Sequence, residues 1–326
     1  MNWEKERLIL QNKIVNRDFS FEEFALRLFA LQYQFNPSYR QYIDLIKVDP
    51  SSVKLIEEIP FLPITFFKSH EIRTGSFTSK KTFTSSGTTA STRSKHFIRD
   101  LEWYNEISQI CFQDAFGINL SEVIHLGLLP SYASNPDSSL LYMLRYFMEK
   151  GGGAYFHDDP QGLSDFIEKH KDKQIFLWGV SYALLRWKER FPKTENLKII
   201  ETGGMKGREK EITRMELHEV IGKAFHIDFV SSEYGMTELL SQAYAVKKGL
   251  FHSPFSMRVF PRSISDPLAI ERRNTVAALN IVDLANIDSC AFIATEDLGK
   301  VYDDGSFEVM GRLDNADIRG CNLLIG

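Results

Sequence analysis

The stretch Thr82–Ser94, TFTSSGTTASTRS, decides the reading of this chain. Ser and Thr dominate it, Gly87 sits in its middle, and Arg93 and Lys95 stand at its end. Hydroxyls and free backbone N–H groups in such a loop cradle phosphate oxygens, and a glycine lets the main chain turn tightly against a ligand. Ser85, Ser86, Gly87, Thr88 and Thr89 are therefore candidate phosphate-binding residues. The spacing is not GxxxxGK[ST], which excludes a Walker loop. On residue type alone a solvated Ser/Thr-rich loop is an equal reading, since loops are polar.

Downstream, Ser231–Glu238 reads SSEYGMTE and follows an apolar segment, His226–Val230, expected to be a strand. In α/β folds ligands gather at strand ends. Tyr234 suits a base-stacking role, Gly235 and Met236 a turn, and Thr237 a phosphate contact. Glu238 is a carboxylate suited to Mg²⁺. The plain alternative is a turn with Thr237 and Glu238 capping a helix. Further on, Asp297 in Thr295–Asp297 and Arg312 in Gly311–Leu324 are an acid and a cation flanking a hairpin-like stretch, suited to ribose hydroxyls. Taken singly, each is more simply a surface charge.

Around these motifs the chain alternates short apolar runs with helical patterns. Strands are expected at Val123–Leu129, Ile175–Trp178 and Leu197–Glu201, with helices near Ser139–Glu149, Ser181–Arg190 and Arg208–Ile221. Such alternation predicts an α/β fold with a mainly parallel sheet covered on both faces. Upstream, Ser20 is expected to cap an amphipathic helix from Phe21, with Glu22 and Glu23 in its first turn. Pro50, Pro60 and Pro63 then punctuate an irregular stretch. Toward the C-terminus, Phe255–Phe260, Thr275–Val282, Lys300–Tyr302 and Phe307–Met310 read as short antiparallel strands. The expected organisation is an N-terminal helical segment, 1–54, packed into one compact unit with a large domain, 55–326.

Composition excludes several classes. The 326 residues are 43% hydrophobic and 25% charged, with net charge -4, so no strong positive field holds nucleic acid or anionic lipid. No apolar run approaches the roughly 20 residues of a membrane span. The charged N-terminus MNWEKER does not read as a secretion signal. Three scattered cysteines form no disulfide framework, which points to a cytoplasmic protein. The eight histidines form no HExxH pair, leaving zinc chemistry without support. Cys111 and Cys290 read as structural.

The order TSSGTT, a Gly-Gly turn at Gly203–Gly204, YGMTE, TED and GRLDNADIRG resembles the adenylate-forming superfamily of acyl-CoA synthetases and adenylation domains. Ile59–His70 (IPFLPITFFKSH), Gly203–Arg208 (GGMKGR) and the terminal IRGCNLL resemble more narrowly the LuxE-like acyl-protein synthetases. The resemblance spans about residues 55–326. It implies the superfamily's large domain: stacked, mainly parallel sheets flanked by helices, with a small antiparallel C-terminal part. It implies ATP and Mg²⁺ as cofactors, and activation of a fatty or similar carboxylic acid as acyl-AMP. Ser85, Ser86, Gly87, Thr88 and Thr89 match the phosphate loop, and Gly203 and Gly204 the turn lining the adenine pocket. Tyr234 matches the adenine-stacking residue, Gly235 and Met236 its continuation, Thr237 the α-phosphate contact and Glu238 the Mg²⁺ ligand. Asp297 matches the ribose-binding acid and Arg312 the arginine after it.

Two departures from the motifs are local: Ala90 closes the phosphate loop where glycine is common, and Glu296 precedes Asp297 where glycine is common. The sequence ends at Gly326, so no mobile C-terminal lid with its lysine is expected, and Lys206, Arg208, Lys95 or Lys68 would supply positive charge instead. Cys321 in RGCNLL matches the acyl-accepting cysteine. A thiolate attacks acyl-AMP readily, and Arg319 two residues away would lower its pKa. The partner implied is an acyl-accepting reductase or transferase. The alternatives are direct transfer to CoA, a carrier thiol or an amine, and a non-catalytic nucleotide-binding subunit.

Overall fold

The computed structural model describes residues 2–86, 92–129, 135–157, 159–186, 196–203 and 214–313. In chain order the elements are α1 (Trp3–Asn16), α2 (Phe21–Phe35), α3 (Pro37–Leu45), β1 (Leu62–Pro63), α4 (Phe66–Ser69), β2 (Lys81–Thr84), β3 (Lys95–Ile98), α5 (Leu101–Phe116), β4 (Val123–Leu128), α6 (Ser139–Gly151), β5 (Gly153–Tyr155), α7 (Pro160–Lys169), β6 (Gln174–Gly179), α8 (Ser181–Arg186), β7 (Leu197–Glu201), α9 (Arg214–Phe225), β8 (Ser231–Tyr234), β9 (Ala243–Ala245), β10 (Met257–Arg262), β11 (Val276–Asp283), β12 (Phe292–Val301) and β13 (Phe307–Arg312). They form two compact units, neither a continuous stretch of chain. The first comprises 1–101, 238–241 and 253–326; the second comprises 102–237 and 242–252. Residues 1–54 thus share a unit with 55–101.

The second unit is built on a sheet of order β5-β4-β6-β7-β8-β9, parallel except for the β8–β9 pair. Alternation along the strands gives its faces different chemistry. Ile124, Leu126, Ile175, Leu177, Leu197 and Ile199 point to an aliphatic face covered by Leu163 and Ile167 of α7, Leu184 of α8 and Leu217, Ile221 and Phe225 of α9. The intervening His125, Phe176 and Trp178 join Phe112 of α5 and Phe147 of α6 in an aromatic face. His125 is buried there, its Nδ1 accepting from Trp178 Nε1 at 3.1 Å, and burial pushes its pKa down to about 3. The imidazole is therefore neutral and structural. Both faces owe their cover to crossover helices, as a parallel sheet requires.

In the first unit β10, β11, β12 and β13 are antiparallel neighbours, and β1 pairs parallel to the start of β12. Residues 277–283 of β11 are all buried, so the middle of this sheet is core. Phe24, Leu28 and Phe29 give α2 its buried stripe, and the Phe29 and Tyr39 rings both meet Phe292 of β12. Gln32 of α2 donates to the carbonyls of Asn286 and Ile287 and accepts from Ala291 N–H. β2 and β3 form a separate two-stranded ribbon.

Several expectations need correction. Residues 226–230 are not a strand. His226 ends α9 at φ +55°, a left-handed residue that breaks extended geometry, and Phe229 is half exposed. The strand is Ser231–Tyr234, inside the motif rather than ahead of it. Ser20 makes no side-chain bond to its helix backbone; its hydroxyl reaches Glu22 instead. Lys300–Tyr302 is not a strand of its own: residues 300 and 301 are the end of the ten-residue β12, which also holds Thr295–Asp297. The helix expected at Arg208–Ile221 is described from Arg214 to Phe225.

Candidate active site

In the first unit the site residues gather around Glu238. The β2–β3 ribbon ends in a reciprocal pair: Ser85 N–H donates to the Ser94 carbonyl at 3.1 Å, and Ser94 N–H donates to Ser85 Oγ at 3.0 Å. Ser85 therefore sits at the mouth of the Ser/Thr-rich loop, and Ser86 is exposed beside it. Gly87, Thr88 and Thr89 lie outside the described residues. Ser94 is buried and hydrogen-bonds the Glu238 carboxyl. Glu238 is 5% exposed, and loss of water raises its pKa; the Ser94 bond and the Arg312 charge oppose that rise, while Asp297 adds to it.

Asp297 and Arg312 are direct cross-strand partners on β12 and β13. Arg312 Nε lies 3.5 Å from Asp297 Oδ1, and Nη2 lies 3.0 Å from Glu296 Oε2. Glu296 thus competes with Asp297 for the arginine. Asp297 N–H donates to Thr295 Oγ1, fixing the strand locally. The sequence brings these groups together because residues on paired strands at the same register share a face.

A second set of residues holds Glu238 in place, and sequence reasoning missed it. Asp283 is fully buried at the end of β11. Its Oδ2 accepts from Leu240 N–H (2.8 Å) and Ser241 N–H (2.9 Å), and its Oδ1 from Ser241 Oγ (2.7 Å). Asn286 Nδ2 donates to the Glu238 carbonyl at 2.8 Å. Asp283, Asn286, Asp288 and Ser289 are interspersed with Leu284, Ala285 and Ile287 in the sequence, and once buried such polar side chains must find partners.

In the second unit, Gly203 has φ +73°, a conformation glycine adopts without strain. Glu201, 2% exposed, clamps this turn: its Oε1 accepts from Gly203 N–H and Ser181 Oγ, both at 2.6 Å, and its Oε2 from Ser232 Oγ at 3.1 Å. Ser232 Oγ lies 3.2 Å from His218 Nε2, whose pKa burial lowers. Arg214 Nε stands 3.9 Å from Glu201. Sequence reading missed Glu201 entirely. Gly204 and Lys206 lie outside the described residues.

Tyr234 ends β8 and is 8% exposed, with Phe251 against its ring at 5.7 Å. Gly235 is exposed, and Met236 and Thr237 are intermediate. A Cβ at Gly235 would lie 2.3 Å from Glu233 Oε1, so that carboxyl rests directly against the glycine and would have to swing aside for a larger residue. Among the cysteines, Cys111 and Cys290 are buried, and burial pushes the Cys290 thiol up to about 12, which removes it as a nucleophile. Cys321 lies outside the described residues. Among the described residues no His/Cys/Asp/Glu cluster of three stands ready for a metal, and no helix is long and apolar enough to cross a membrane.

Comparison with known proteins places the fold. The sequence profile of the acyl-protein synthetase LuxE matches residues 11–100, beginning well ahead of the stretch on which the motifs were read. No curated protein matches the chain in sequence. ATP-bound MatB from Rhodopseudomonas palustris aligns with TM-score 0.54 and 16% identity, over 71% of this chain and 47% of that one. O-succinylbenzoate coenzyme A synthetase (MenE) from Bacillus subtilis, with ATP and magnesium, aligns with TM-score 0.53 and 17% identity over 71% and 49%. A 2-hydroxyisobutyryl-CoA ligase with 2-HIB-AMP and CoA aligns with TM-score 0.67 and 13% identity over 92% and 69%. The chain spans about half the length of the first two. The fold is that of the adenylate-forming enzymes.

Proposed function

We propose that this chain is an AMP-forming carboxylate ligase of the acyl-protein synthetase kind. A substrate carboxylate oxygen attacks the α-phosphorus of ATP, pyrophosphate leaves, and acyl-AMP forms. The Cys321 thiolate then attacks the acyl carbon, AMP leaves, and the enzyme holds a thioester for an acyl-accepting partner such as a reductase. The observation that carries this reading is the buried Glu238 carboxyl in contact with Ser94 and within the field of Asp297 and Arg312. Three motifs far apart in the sequence meet in that cluster.

Glu238 suits Mg²⁺ by its donor chemistry: a hard oxygen acid, raised in pKa by burial, gains from a cation. Mg²⁺ characteristically takes one or two carboxylates plus substrate phosphates and water, so a single protein ligand is enough. When bound, the ion would neutralise charge on the phosphates. Asp297 would accept from ribose hydroxyls, with Arg312 Nε 3.5 Å from its carboxylate. Tyr234 would present its ring to adenine, and Thr237 would donate to the α-phosphate. Gly203, held by Glu201, would line the base together with Gly204. The LuxE profile over residues 11–100 and the fold of ATP-bound relatives support the reading.

The test is intact-protein mass after incubation with Mg²⁺-ATP and a panel of carboxylic acids, for wild type and Cys321→Ser, with pyrophosphate measured in parallel. A hydroxylamine-labile acyl adduct on wild type alone is the expected result. Pyrophosphate release without an adduct on either protein overturns the cysteine step and favours direct transfer to a small acceptor. Absence of both overturns the ligase reading.

A further inference from the structure

The aromatic face of the second unit carries, besides the buried His125, a polar pair that the proposed chemistry leaves unused. Glu233 of β8 and Tyr244 of β9 are direct antiparallel partners, so their side chains leave the sheet side by side on the same face. Tyr234, one residue on, faces the other way. The Tyr244 ring is enclosed by Phe112, Phe116 and Trp178, and the residue is 1% exposed. Its Oη is buried, with no hydrogen-bond partner among the described residues. Tyr104, also buried on this face, already donates its hydroxyl to the Ser139 carbonyl.

Glu233 is partly buried, and no hydrogen bond or ion pair reaches its carboxyl from a described residue. Loss of water, with the Glu201 charge adding to it, pushes its pKa up to about 8. At neutral pH it is thus mostly an uncharged acid that both donates and accepts. A buried polar atom left unpaired costs about 1–3 kcal/mol, so the Tyr244 hydroxyl, set in an aromatic wall beside a partly buried acid, is unexpected unless something binds it. Their place adds to this. They lie at the end of the sheet where ligands bind in open α/β folds, and Glu233 Oε1 rests against Gly235 of the nucleotide motif.

We propose that Glu233 and Tyr244 form a hydrogen-bonding subsite for the acyl chain, so that the acid activated here carries a neutral polar group, a hydroxyl or keto oxygen, and is not a plain fatty acid. The aromatic wall takes the hydrocarbon portion, and the acid–phenol pair takes the oxygen. This rests on the ligase reading above.

The test is Mg²⁺-ATP-dependent pyrophosphate release with matched acids of equal chain length, unsubstituted, hydroxylated or oxo-substituted. It compares wild type with Glu233→Gln, Glu233→Leu and Tyr244→Phe. Wild type should favour the best oxygenated acid over its plain parent by at least about tenfold in kcat/KM, since a site built to hydrogen-bond an oxygen rejects the analogue lacking it. Glu233→Leu should erase that ratio, chiefly through KM. The near-isosteric Glu233→Gln and Tyr244→Phe, which keep the packing, should reduce it partly. A wild-type preference for plain acids, or an unchanged ratio in Glu233→Leu, overturns the subsite while leaving the ligase reading intact. Release with no acid at all overturns both.

Discussion

Two regions of this protein bury acids in opposite ways. At the end of β11 and in the loop after it, both acids are answered. Asp283 accepts from three backbone N–H groups and a hydroxyl, and Asp288 accepts from Arg7 Nε at 2.7 and 2.9 Å with Arg99 3.8 Å away. On β8, Glu233 stands beside an unpaired phenol and receives no such bond from a described residue. Burial raises the pKa of all three. The difference is in what the surplus hydrogen-bonding capacity does. A closed network fixes a loop; an open pair is left with capacity for a ligand. Polar satisfaction, more than burial, separates scaffold from site.

The comparison breaks most visibly if the closed side is opened. Arg7→Met should strand Asp288, which is 7% exposed, and cost about 3–5 kcal/mol in denaturant unfolding, as removing one partner of a buried pair does. Arg7→Met with Asp288→Asn should recover much of that loss. A single-variant loss under about 1 kcal/mol would mean that the network holds nothing. Next in size is Asp283→Ala. It leaves the Leu240 and Ser241 N–H groups without their acceptor, at about 1–3 kcal/mol. Hydrogen exchange should quicken at those two amides before it does in the β11 core. Unchanged protection there would show that the segment carrying Glu238 is held by other means.

The smallest effect sharpens the open side. The folded chain keeps the Glu233 proton to about pH 8, whereas the unfolded chain sheds it near the ordinary value of 4.5. The folded state therefore binds more protons across that window, and stability falls as pH rises through it. Glu233→Gln should flatten that part of the pH–stability curve relative to wild type. Parallel curves for the two proteins would place Glu233 in water and make it an ordinary surface acid.

Much of this was legible in the sequence. The runs IFLW and LKIIE announced β6 and β7 because strands buried on both faces need continuous apolar residues. The motifs around Ser85, Tyr234, Glu238, Asp297 and Arg312 stood out because their residue types suit a nucleotide. HIDFV misled because its apolar content matched a strand, while His226 in the left-handed region decided otherwise. Glu201, Asp283 and Asn286 stayed hidden because their role is to fill hydrogen bonds offered by distant backbone, and no local pattern announces a long-range partner. Glu233 looked like one more charge in SSEYGMTE until its register opposite Tyr244 was known.

The Arg7–Asp288 pair also has a consequence in time. Its partners are 281 residues apart in the chain. At a ribosomal pace of about 5–20 residues per second, the N-terminal helices emerge roughly 15–60 s before their acid and the β12 ring that covers Phe29. Through that interval the stripe Phe24–Leu28–Phe29 is made but has no sheet to lie on. Translation speed downstream of residue 101 thus sets how long the apolar stripe of nascent α1–α3 stays uncovered.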